Sequence, residues 1–288
     1  MGKRRRLNLR KTLFLLPNMI TLSSIFCGFD AIRVAASATR EEDYYLSALL
    51  IVFAMFFDIL DGRVARATKT QSAFGLQIDS LADVISFGVA PAMLVYHWTL
   101  HRLDSPRVPL GLAVSFVYVA CGAVRLARFN VLSMGEEGKP SKPGKYIVGL
   151  PIPGAAGILV SIIVANHAAA GVFGGVEYTW PLLAVTLGLS FLMVSTIRFR
   201  SFKDVELNAR TALLVIFAVG SSAIISYQYK PQFVLVWLLA FYILLGILES
   251  LWQLPARLRE RATLAREAGD STPPGPKPPS RPSQPPQP

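Results

Sequence analysis

Long apolar runs recur along most of this chain and constrain its fold more than any other feature. Eight stretches, approximately 17–37, 44–62, 76–99, 108–128, 150–170, 179–196, 208–227 and 232–252, are each dominated by hydrophobic residues. Each is close to the ~20 residues that a helix needs to cross a bilayer. Charged residues make up 16% of the 288-residue chain and hydrophobic residues 52%, whereas a soluble domain carries about 25% charged residues. The expected fold is therefore all-α, a polytopic membrane bundle of about eight transmembrane helices. It divides into a basic segment 1–16, a membrane domain 17–252 and a tail 253–288. The first apolar stretch is too long for a cleavable signal peptide and lacks a small-residue cleavage site.

The net charge of +11 raises nucleic acid as a partner, but the distribution of basic residues argues for a membrane. With the N-terminus inside, the outer segments hold only Arg40, Arg102, Arg107 and Lys230, and Arg33 lies within the first span. The other 24 of the 29 Lys and Arg fall on the inner side, among them Lys3–Arg6, Arg63, Arg66, Lys139, Lys145, Arg198, Lys203 and Arg257. This is the positive-inside pattern. Such runs anchor topology and meet anionic lipid. The expectation is a multi-pass protein of the cytoplasmic (inner) membrane with both termini in the cytoplasm and no nucleic-acid partner. Cys27 and Cys121 sit in separate apolar spans and match no metal or disulfide pattern. The tail from Gly269 onward is Pro-rich without hydrophobes and reads as a disordered extension.

Against that background, four aspartates are out of place. Asp58, Asp61, Asp79 and Asp83 lie in FDILDGRVARATKTQSAFGLQIDSLAD, at the junction of two apolar runs. Carboxylates are costly at membrane depth and usually functional there. Spacings of three and four place each pair on one helical face. Two such faces turned together would crowd four negative charges, an arrangement that calls for cations. A divalent-metal site at the edge of the membrane follows from the spacing alone.

The whole pattern reads Asp58-x-x-Asp61-Gly62-x-x-Ala65-Arg66, eight residues, then Gly75-x-x-x-Asp79-x-x-x-Asp83. It resembles the signature of the CDP-alcohol phosphatidyltransferases at every fixed position. That resemblance implies displacement of CMP from a CDP-linked lipid by an alcohol, aided by two divalent cations, Mg2+ or Mn2+. Asp58 and Asp79 would bridge both ions, Asp61 would bind one and Asp83 the other, with Asp83 also the general base. Oxygen ligands suit these hard ions, and paired ions suit phosphoryl transfer. Gly62, Ala65 and Gly75 would let the nucleotide approach the backbone, although small residues also serve close helix packing in membranes. Arg66 would pair with the diphosphate. Ser72 falls where the family has a small hydroxyl near the nucleotide.

Within the family, the stretch from Leu16 to Leu251 is most similar to membrane-embedded phosphatidylserine synthases. The segments that carry this are LPNMITLSSIFCGF, DVISFGVAPAMLVY, CGAVRLARFNV and GLPIPGAAG. The implied substrates are CDP-diacylglycerol and L-serine, and the implied assembly is a homodimer. In the first segment, Asn18 and Thr21 would line the nucleotide or cap a helix. Ser23 and Ser24 stand where relatives often carry Asn. Arg125, Arg128 and Asn130 are the candidates for acceptor recognition, a guanidinium holding the serine carboxylate. The alternative is that these arginines are snorkelling anchors. Pro151 and Pro153 should break or kink the entry to a helix. His97, His101 and His167 fall toward the outer face, and RFRSFK at 198–203 reads as an ordinary loop anchor. Two other functions are compatible with parts of the pattern: the same chemistry with glycerol 3-phosphate or inositol phosphate as acceptor, and a secondary transporter using the aspartates as ion ligands.

Overall fold

A computed structural model of the chain describes residues 9–103, 108–133, 146–169, 175–200, 209–228, 231 and 233–247. All belong to the unit Met1–Ile247. The Pro-rich tail and the basic residues Lys3–Arg6, Lys139, Lys142, Lys145 and Lys203 lie outside the described residues.

The eight apolar stretches become helical rods. They are α1 (Leu9–Ala36), α2 (Glu41–Thr68), a composite third rod, α5 (Val108–Ser133), α6 (Ile152–Ala168), α7 (Thr179–Val194), α8 (Ala209–Gln228) and α9 (Phe233–Ile247). The third rod comprises α3 (Ala73–Asp83), one π-helical turn at Val84–Val89, and α4 (Ala90–Trp98). Among the described residues, four segments are long and apolar enough to cross a membrane: Leu15–Ala36, Glu41–Thr68, Ala73–Trp98 and Pro109–Val131. The protein is an all-α, multi-pass membrane protein.

Local sequence explains the ends of the site-bearing helices. At the start of α2, the Asp43 carboxylate accepts from the backbone N–H of Thr39 and Arg40, both at 3.0 Å. Glu41, Glu42 and Asp43 set negative charge against the first turn, where the helix dipole favours it. The helix closes at Lys69, in the left-handed conformation at φ 54°. It therefore runs six residues beyond the expected end of the span at 62, so Gly62, Ala65 and Arg66 are helical. Ser72 then caps α3, its Oγ accepting from the Gly75 N–H at 3.0 Å.

The π turn was not legible beforehand, although its cause is in the sequence. Pro91 has no N–H to offer the carbonyl one turn back. That carbonyl, of Phe87, accepts instead from the Tyr118 hydroxyl on α5 at 3.2 Å. The turn widens immediately after Asp83, the position at which π turns recur beside functional sites.

α1 packs most extensively on α2, and the composite rod lies against α1. Small residues allow this. A Cβ on Gly28 would fall 2.8 Å from the Ser86 backbone. Ser86 Oγ donates to Ser24 O at 3.0 Å, and Ser24 Oγ donates to Ala54 O at 3.1 Å. These bonds tie α1, α2 and the π turn together, as small and hydroxyl residues do between membrane helices.

One feature departs from the sequence expectation. Tyr146–Val148 (β1) pairs antiparallel with Arg198–Arg200 (β2), so part of the expected 198–203 loop is a short strand. The PIP segment sets a helix entry, as a break rather than a kink: Pro151 is the N-cap of α6 and Pro153 lies in its first turn, where a missing N–H costs nothing. The histidines cluster away from the aspartates. His167 stacks on Tyr45 at 4.1 Å, and His97 and His101 flank Tyr96.

Candidate active site

α2 and α3 approach at the hairpin 69–72, which brings the two aspartate pairs together. One oxygen each from Asp58, Asp61 and Asp79 lies within 4.8 Å of the others. Asp83 stands beside Asp58 and Asp79, one turn farther along the same helix as Asp79, and its buried Oδ1 has no hydrogen-bond partner among the described residues. An all-oxygen set with an unsatisfied buried carboxylate oxygen fits a hard divalent cation.

α1 supplies one wall. Asp61 is 5% exposed, and its Oδ2 accepts from the Thr21 hydroxyl at 2.6 Å. This short, charge-assisted bond fixes the carboxylate. Because α1 begins at Leu9, neither Asn18 nor Thr21 caps a helix. Asn18 instead lies near Gly75: a Cβ there would stand 3.8 Å from Asn18 Oδ1 and 3.2 Å from Ser72 Oγ. Asn18, Ser72 and Gly75 thus share one corner.

The glycines differ in what they face. Among the described residues, an added Cβ at Gly62 would meet only the Arg66 guanidinium, at 3.5 Å, whereas at Gly28 it would strike a neighbouring backbone. Gly62 is therefore not demanded by helix packing, and its bare backbone lies beside an exposed guanidinium. Ala65 is half-buried on the same helix.

The three acceptor candidates on α5 occupy different environments. Arg125 is 7% exposed, its Nε is unpartnered, and its charge is felt at Asp83. Arg128 donates to the carbonyl oxygens of Val194 at 2.9 Å, Ser195 at 3.2 Å and Val148 at 3.4 Å. Its fork clasps the end of α7 to β1 beside Gly149. Gly149 has φ 78°, and a Cβ there would lie 2.3 Å from Met193 O. Asn130 donates to Ser80 Oγ at 2.8 Å, next to Asp79. Arg125 thus combines a buried Nε with no hydrogen-bond partner among the described residues and a charge that acts on Asp83. Tyr242 of α9, absent from the sequence-derived set, lies within electrostatic reach of Arg125. No motif signals it, because it is distant in sequence and one of many aromatics in an apolar run.

Fold and site together define a polytopic membrane enzyme whose acidic oxygen centre, flanked by guanidinium groups, suits the transfer of phosphate-containing groups with a divalent cation. The sequence model of the CDP-alcohol phosphatidyltransferases matches residues 14–194, and the chain belongs to that family. It is similar to a CDP-diacylglycerol–serine O-phosphatidyltransferase of Helicobacter pylori, 36% identical over 240 residues, covering 83% of this chain and 92% of the relative. The Mycobacterium tuberculosis protein of the same name is 32% identical over 277 residues, covering 94% of this chain and 86% of the relative. The one from Bacillus subtilis is 35% identical over 189 residues, covering 65% and 91%.

Proposed function

We propose that this chain catalyses the reaction CDP-diacylglycerol + L-serine → phosphatidyl-L-serine + CMP. The observation that carries the reading is the convergence of Asp58, Asp61 and Asp79 on one point, with the unpartnered Asp83 Oδ1 and Arg125 Nε beside it. The names of the relatives support serine as the acceptor.

Asp58, Asp61, Asp79 and Asp83 would hold two divalent cations, Mg2+ or Mn2+, which neutralise the diphosphate and stabilise charge on the leaving CMP. Arg66 pairs with the diphosphate, a bidentate task for guanidinium. Gly62, Ala65 and Gly75 let the nucleotide approach the backbone, with Asn18, Thr21 and Ser72 on its rim. Arg125 holds the serine carboxylate. Arg128 and Asn130 act through others, Arg128 by clasping the Gly149 turn and Asn130 by fixing α3 at Ser80. Asp83 accepts the serine hydroxyl proton. The serine oxygen then attacks the lipid-side phosphorus, the bond to the CMP oxygen breaks, and CMP leaves with that electron pair. The direct displacement needs no covalent enzyme intermediate. The inner-side concentration of basic residues supports a cytoplasm-facing site in the inner membrane, and the family resemblance supports a homodimer.

The test is CMP release by the purified protein in detergent with CDP-diacylglycerol and Mg2+ or Mn2+, with and without L-serine. The expected result is serine-dependent CMP and phosphatidylserine in the lipid extract. Release that requires glycerol 3-phosphate or inositol phosphate instead would refute serine as acceptor. No release with any acceptor from folded protein would refute the transferase reading.

A further inference from the structure

The last described helix, α9, reaches the site at a place that the aspartate motif does not mark. An added Cβ at Gly157 of α6 would lie 3.2 Å from Leu239 Cδ1 on α9 and 3.9 Å from Met55 Cε on α2, so three helices meet at that level. Asp58 comes three residues after Met55, and Tyr242 three after Leu239, each about one turn on along the same face. α2 and α9 are the second and the eighth rods of a bundle whose successive rods reverse direction, so both turns advance toward the aspartates. Ile243, 8% exposed, beds α9 in the core, and Tyr242 packs half-buried against that core.

Arg125 of α5 faces the same space. It lies within electrostatic reach of both Asp83 and Tyr242. It is buried, and its Nε has no hydrogen-bond partner among the described residues. The Phe129 ring backs it, with the guanidinium carbon 5.9 Å from the ring centroid, at the limit of a cation–π contact. A guanidinium carries N–H donors on both edges and accepts from nothing. Buried, it needs acceptors on more than one side. A carboxylate can take one edge, at Nε and one Nη. The remaining Nη calls for a neutral acceptor, because a second fixed anion there would neutralise the charge that the carboxylate has to meet. A phenol oxygen is such an acceptor.

We infer that Tyr242 is a positioning residue for the acceptor: its phenol oxygen accepts from the Arg125 guanidinium and holds Nε turned toward the acceptor carboxylate. The inference rests on the proposed serine transferase activity and on Arg125 as the partner of the carboxylate. The acceptor side of the site is then completed by α9, which lies beyond the matched residues 14–194. The donor side is built on α1, α2 and α3 and does not use α9. Loss of the phenol oxygen therefore acts on the acceptor and spares the donor.

The experiment measures CMP release by the full-length protein in mixed micelles with Mn2+, titrating L-serine and CDP-diacylglycerol in turn. Tyr242→Phe removes the oxygen and keeps the ring. Losing a hydrogen bond to a charged group corresponds to roughly 10- to 150-fold in an equilibrium constant, and KM for serine should rise by that factor. KM for CDP-diacylglycerol should stay within about twofold of wild type. In an Arg125→Met background the same substitution should raise the serine KM by less than about threefold, because a residue that acts through Arg125 has nothing left to position. Leu244→Ala, on the exposed face of α9, leaves both constants unchanged. An unchanged serine KM in Tyr242→Phe, with or without a lowered Tm, would overturn the assignment. So would an equal rise for both substrates, the full effect persisting without Arg125, or the same effect from Leu244→Ala. Failure of the wild type to release CMP with serine would instead overturn the transferase reading beneath it.

Discussion

The Thr21–Asp61 bond links a residue outside the aspartate motif to the site, and Thr21→Val tests it nearly isosterically. The hydroxyl donates to a carboxylate at 2.6 Å in a setting where Asp61 is 5% exposed. A hydrogen bond to a charged group contributes about 1.5–3 kcal/mol. At 1.4 kcal/mol per tenfold, losing it corresponds to about 10- to 150-fold in an equilibrium constant. The same range is typical when the partner of a metal-ligating side chain is removed. If Asp61 is a metal ligand held in position by Thr21, the loss should appear in metal affinity. The assay is CMP release against Mn2+ and Mg2+ concentration at saturating donor and serine. The half-saturating metal concentration should rise by roughly 10- to 150-fold in Thr21→Val, with kcat largely recovered at high metal, while Thr21→Ser stays near wild type. An unchanged metal requirement with a lowered Tm would show that Thr21 only joins α1 to α2, and the argument for Asp61 as a ligand would lose its support.

Four further outcomes follow from the same geometry. Asp83→Asn should abolish turnover and leave CDP-lipid binding largely intact, measured by equilibrium binding; equal loss of both would remove Asp83 from the base role. Arg125→Met should raise KM for serine and lower kcat/KM by roughly 30-fold or more, since truncating a buried hydrogen-bonded charge costs 2–5 kcal/mol, with KM for the donor unchanged. Gly28→Ala should lower Tm, because its Cβ would lie 2.8 Å from the Ser86 backbone and such overpacking costs about 1–3 kcal/mol. Tyr118→Phe leaves the Phe87 carbonyl buried without its donor and should destabilise the protein by about 1–3 kcal/mol, read by thermal unfolding in detergent.

The sequence by itself determined the architecture and the acidic centre. Apolar runs of bilayer length admit little but helices, because lipid offers the backbone no other hydrogen-bond partners. Spacings of three and four fix which aspartates share a face before any tertiary contact forms. Tertiary structure decided what spacing cannot encode. Arg125 and Arg128 share that spacing, yet Arg128 spends its donors on the α7 end and β1 while Arg125 keeps a free Nε beside Asp83. Thr21 reaches Asp61 across forty residues. Gly62 and Gly28 look alike in sequence, but only Gly28 is packed against a backbone. At the π turn after Asp83, the Phe87 carbonyl that Pro91 cannot serve takes its donor, the Tyr118 hydroxyl, from another helix. Local periodicity places side chains on a face of a helix, and only the packing of one rod on another decides what that face meets.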